Sequence, residues 1–75
     1  MMVQSNLIGL RKSNHISQKV LADLIGVSLR TFSDKEIGKI QFKCDEMFTI
    51  AKYFDLTVED IFLPRILQNG VKESD

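Results

Sequence analysis

One cysteine, one proline, one histidine, no tryptophan and no net charge are the scarcities of this sequence, and each narrows what the chain can be. A lone Cys44 excludes an intramolecular disulfide, and with only His15 beside it there is no Cys and His set at metal-ligand spacing. The expectation is a protein of the reducing cytoplasm that holds no metal. No apolar run approaches the length of a membrane span, and residues 1–6 lack the basic and apolar regions of a signal peptide. No nucleophile–base pair, phosphate-binding loop or metal cluster can be assembled from the residues present, which points away from catalysis and from any cofactor.

The absence of net charge counts against a nucleic-acid binder, but its distribution is more informative. Residues 1–43 carry seven basic side chains against three acidic ones, and residues 44–75 carry three against seven. The halves are therefore +4 and −4 and cancel. A basic N-terminal half is able to face phosphate while the acidic half faces away. Seventy-five residues suffice for one domain and not two.

Helical periodicity runs through the chain, with no strand pattern and no internal repeat. Leu7 and Leu10 share a face of a first helix that ends at about Asn14-His15, two residue types that tolerate the left-handed conformation. Ser17 is placed to cap a second helix, whose Leu21, Leu24 and Ile25 form an apolar stripe and which stops at Gly26. After Val27, Ser28 caps a third helix from about Leu29 to Glu36 or Ile37, closed by Gly38. Residues 39–43 read as a loop. A fourth helix spans about Asp45 to Phe54, with Met47, Ile50, Ala51 and Phe54 on one stripe and Asp45 and Glu46 at its positive end. Asp55-Leu56 turns the chain. Thr57 and Asp60 then stand in a capping-box relation at the start of a fifth helix carrying Val58, Ile61 and Phe62, which halts before Pro64. The reading is an all-α domain over residues 1–64, with 65–75 a short C-terminal extension.

Residues 17–36 hold the informative constellation: two short helices joined by a glycine-containing turn, the helix-turn-helix arrangement. Ala22 is small where the helices must approach, Gly26 supplies the positive φ that reverses the chain, and Phe32 fills the space between the helices.

These residues resemble the Cro/repressor-type (lambda-repressor-like) helix-turn-helix regulators of bacteria and phage. Ser17-Gln18, Leu21-Ala22, Gly26-Val27-Ser28, Thr31, Glu36, Gly38 and Ile50-Ala51-Lys52 stand where that family usually has them, and the resemblance runs without a gap from about Leu7 to Phe62. It implies a compact five-helix domain that docks its third helix in the major groove of a double-stranded operator, as a homodimer on a two-fold site. It implies that Gln18 meets phosphate and that Leu29, Arg30 and Asp34 meet base edges, with Ser28 both capping its helix and touching phosphate and Ser33 reaching the groove less directly. Arg30 suits guanine O6 and N7, Asp34 suits cytosine N4 and Leu29 a thymine methyl. Lys39 and Lys43, just beyond the helix, are further phosphate candidates. Arg11 and Glu36 correspond to a partly buried ion pair that fixes the recognition helix. The residues by themselves leave a plainer alternative, in which Arg30 and Asp34 simply pair at i, i+4 on a solvated face.

The sequence also departs from the pattern. Lys35 occupies an apolar or aromatic position, where it is expected to lay its stem on the core and extend its amine outward. Ile37 replaces a polar phosphate contact, Phe42 a common proline and Lys43 the usual N-cap, while Cys44 falls on an apolar position and is expected to pack. The function expected is a Cro-like repressor. An antitoxin that represses its own operon and binds a toxin, or a modulator that binds another repressor instead of DNA, are the alternatives.

Overall fold

A computed structural model of the protein describes residues 3–62, which form five helices and, among these residues, no strand. The helices are α1 (Ser5–Ser13), α2 (Gln18–Ile25), α3 (Leu29–Glu36), α4 (Cys44–Tyr53) and α5 (Val58–Ile61). None of them is long and apolar enough to cross a membrane. The extension from residue 65 lies outside the described residues.

The punctuation of the chain explains its turns. His15 leaves α1 at φ 58°, in the left-handed region that its sequence position suggested, and Asn14 donates from Nδ2 to the Leu10 carbonyl. Ser17 and Ser28 take extended backbone, and their hydroxyls accept from the amides of Val20 and Thr31 at 3.3 and 3.1 Å. Each satisfies one of the amides that a helix start leaves free. Gly26 ends α2 at φ 74°, a conformation that costs a residue with a Cβ roughly 1–2 kcal/mol. At α5 the capping box is complete: Thr57 accepts from the Asp60 amide and Asp60 from the Thr57 amide.

α2 packs on α3 and on α4, α1 on α3, and α4 on α5. Their shared core is Leu7, Leu21, Ala22, Phe32, Phe42, Ile50, Ala51, Ile61 and Phe62, with Leu10, Ile25, Val27, Met47 and Phe54 packed against it. Phe42 is a surprise, because the 39–43 segment has the loop backbone expected of it and yet sends this ring inward. The ring stands edge-on to Phe32 at 5.8 Å between centroids and tilted against Phe62 at 5.2 Å. Both separations are favourable for aromatic pairs. The ring thus bridges Phe32 of α3 to Phe62 just beyond α5.

Three expectations need correcting. Cys44 opens α4, one residue earlier than anticipated, and is exposed instead of packed, because the first turn of α4 turns this position outward. Leu24 stays on the surface, so the buried stripe of α2 is narrower than its apolar pattern. Lys35 does not extend its amine to water. It faces inward from α3 beside Phe32 and Glu36, and its ammonium is buried.

Candidate nucleic-acid interface

α3 has two faces with different chemistry. Phe32, Lys35 and Glu36 recur at i, i+3 and i+4 and point inward, and the intervening positions point out. Leu29, Arg30 and Ile37 are exposed, and Ser33 and Asp34 are half-buried. The side chains expected at base edges therefore share the outer side of one helix, with Ser28 at its start and exposed Lys39 and Lys43 in the loop that follows.

The inner face is anchored by ions as well as by Phe32. Arg11 of α1 donates to Glu36 from Nε at 2.8 Å and from Nη2 at 3.2 Å, the two-pronged geometry in which guanidinium and carboxylate match best. Only 11% of the Arg11 side chain and 2% of Glu36 remain accessible. The expected pair is thus present, and it is more buried on the carboxylate side than partial burial implies. The third nitrogen of Arg11 donates to the Ile16 carbonyl at 3.1 Å, and the Glu36 carbonyl accepts the Gln4 amide at 2.9 Å. A buried carboxylate needs all its lone pairs addressed, and Gln18 at the head of α2 supplies another donor, with Nε2 at 2.7 Å from Glu36 Oε1. The carboxylate of Glu36 therefore ties α1, α2 and α3 to one point. Gln18 is half-buried and already committed through one of its two amide hydrogens, which leaves the second available to a phosphate.

On the outer face Arg30 Nε and Asp34 Oδ2 are 3.7 Å apart, the plainer i, i+4 pairing. Arg30 is 83% exposed and Asp34 20%. Exposed pairs of this kind stabilise by ~0.3–0.5 kcal/mol, less than the ~1–3 kcal/mol that a bidentate arginine–guanine contact contributes to discrimination. The pairing is thus too weak to withhold Arg30 from a base edge. The Ser28 hydroxyl donates to Thr31 Oγ1 at 2.9 Å while accepting from the Thr31 amide, so its proton is engaged within the helix start.

A second buried ion pair was not legible beforehand. Lys35 Nζ lies 2.9 Å from Glu46 Oε1 and donates to the Gln41 carbonyl at 3.1 Å. Glu46 in turn accepts the Lys43 amide at 3.0 Å, one half of a capping arrangement at a helix whose N-cap residue has no acceptor of its own. Burial by itself raises the Glu46 pKa, but the hydrogen bond from the Lys43 amide and the adjacent Lys35 ammonium outweigh it and hold the carboxyl below its ordinary 4.5. A depressed folded-state value gives stability that is present above 4.5 and lost as pH falls through the folded value. Denaturant unfolding from neutral pH to pH 3 is therefore expected to show the wild type ahead of Glu46→Gln near neutrality, with the gap closing once pH drops below about 4.5. A gap that stays constant across this range contradicts the assignment. The signal for this pair was present in part: Lys35 recurs at i+3 from Phe32, on the face that must be buried.

Over 53 residues, 71% of this chain and 80% of the other protein, the sequence is 38% identical to an uncharacterized HTH-type transcriptional regulator of Methanocaldococcus jannaschii. The chain belongs to the HTH-type transcriptional regulators. No protein-family model matches it, and no solved structure does so significantly. Membership makes it a regulator and not an enzyme. Among the described residues of this HTH-type regulator, no cluster of His, Cys, Asp and Glu is arranged to hold a metal ion.

Proposed function

We propose that the protein is a Cro-like repressor that binds a specific double-stranded DNA operator with α3 in the major groove. The observation that carries this reading is the two-faced α3: Leu29, Arg30, Ser33 and Asp34 lie on its outer side, while Phe32 and the Arg11–Glu36–Gln18 network hold its inner side rigid. Preorganised side chains on a fixed helix read base edges without first ordering a loop. Gln18, Lys39 and Lys43 flank the groove-reading face and supply phosphate contacts. The helix starts of α2 and α3 add their own attraction for phosphate.

One recognition helix reads few base pairs, so specific affinity calls for two copies with half-sites ~34 Å apart. The reading therefore includes a homodimer on DNA. The apolar residues of the C-terminal half are the natural source of its contact; of these Ile66 and Leu67 lie outside the described residues, Phe62 is core and Phe54 is half-buried. Leu56 is exposed, and it lines a shallow groove with Phe48 and Val58 on the side formed by α4 and α5.

Titration of fluorescent duplexes selected by the protein from a random-sequence pool tests the function. The log of the affinity is expected to fall with the log of salt by ~0.9 for each phosphate neutralised. Sedimentation is expected to give two protein chains per palindromic duplex. Salt-insensitive binding contradicts groove docking, and a 1:1 complex at saturation contradicts the dimer. Asp34 on the reading face and exposed Ile37 favour a second reading, a modulator that binds another repressor. That protein leaves duplex unbound until its partner is added. An autorepressing antitoxin binds duplex alone and also a toxin.

A further inference from the structure

We propose that the buried Lys35–Glu46 pair fixes the second half of the 39–43 loop so that Lys43 meets the DNA backbone alongside Lys39. The inference rests on the groove-docking reading above and adds two positioning residues to it.

The pair is an expensive way to fill the core. Lys35 and Glu46 have only 4% and 9% of their side chains accessible. Replacing such a pair with well-packed apolar residues is often neutral or stabilising, so stability alone does not explain it. The polar groups do something a hydrocarbon cannot. Lys35 Nζ donates to the Gln41 carbonyl at 3.1 Å, and Glu46 Oε1 accepts the Lys43 amide at 3.0 Å while 2.9 Å from the same ammonium. One ion pair thus holds the backbone on both sides of Phe42. The ammonium also stands 5.7 Å from the centroid of the Phe42 ring, which is itself wedged between Phe32 and Phe62.

The first half of the loop is secured separately. The amides of Lys39 and Ile40 both donate to the Asp34 carbonyl, at 2.9 and 3.2 Å, and that of Gly38 to the Lys35 carbonyl at 3.3 Å. Lys35 therefore closes the second half of a segment whose first half is already tied to α3. Lys39 and Lys43 are exposed on a backbone held to the recognition helix itself. Two flexible side chains rooted in a fixed loop lose less freedom on meeting phosphate than the same side chains on a loose one.

The decisive variant is Lys35→Met/Glu46→Met, which removes both charges together and leaves neither buried alone. Its folding is checked by circular dichroism and thermal melting, and its binding is measured against the duplex selected by the wild type and against an unrelated duplex. The expected result is a melting temperature close to the wild type, a several-fold loss of affinity for both duplexes, and a salt slope shallower by ~0.9 for each phosphate no longer neutralised. A folded double variant with wild-type affinity and slope overturns the proposal. The surface variant Lys39→Gln/Lys43→Gln guards against a double variant that fails to fold. It is expected to flatten the slope in the same way, and an unchanged slope overturns the proposal by itself. If the wild type binds no duplex, the groove-docking reading is what fails, an outcome distinct from either of these.

Discussion

Arg11→Ala is expected to lower the unfolding free energy by ~3–5 kcal/mol, as read from denaturant curves at neutral pH. The truncation leaves Glu36 buried with its charge unpaired, and only the Gln18 amide remains to address the carboxylate side chain. It also releases the Ile16 carbonyl that holds the α1–α2 turn. A chain of this size has on the order of 4–11 kcal/mol of stability in all, so the variant loses from about a quarter to all of it. Melting falls by ~4–8 °C for each kcal/mol of destabilisation. Arg11→Met/Glu36→Leu is expected to recover most of the stability, because it removes the buried charge together with its partner. A destabilisation below ~1 kcal/mol for Arg11→Ala places the pair among exposed ones and contradicts its geometry.

Arg30→Ala is expected to weaken binding to the selected operator by ~1–3 kcal/mol and to relax preference at one base pair in each half-site. Stability changes little, since the side chain is almost wholly exposed and its only ionic partner among the described residues is the half-buried Asp34, 3.7 Å away. Gln18→Ala provides the contrast. It weakens binding to every sequence alike, because a phosphate contact carries no base information. It also removes one donor from Glu36, and thermal melting separates that effect from the change in binding. If Arg30→Ala binds the selected operator as the wild type does, α3 sits in the groove with a different face forward, or not at all.

The contrast between Glu36 and Glu46 shows where sequence reading reached and where it stopped. The Arg11–Glu36 pair was anticipated through a resemblance, with both residues at their usual positions, and the structure joins them at 2.8 Å. The Lys35–Glu46 pair has no such counterpart. Glu46 read as a favourable charge at a helix start, which it is, but its partner lies on another helix and across a loop. Gln18 was assigned to phosphate alone, and its bond to Glu36 depends on the angle at which α2 meets α3.

What the sequence determined unaided is mostly local. Five helices, the serine caps of α2 and α3, the left-handed exits at His15 and Gly26 and the complete capping box at Thr57 all follow from residues within four positions of one another. The physics there is backbone geometry and a few short hydrogen bonds, which a linear pattern records directly. The tertiary structure alone decided the depth of each side chain. It drew Phe42 out of an apparent loop into the core, turned Cys44 outward and buried the ammonium of Lys35. Those outcomes depend on how much volume remains once α3, α4 and α5 have packed. They depend also on whether a buried charge finds a partner from a distant segment, and neither condition is written in the order of neighbouring residues.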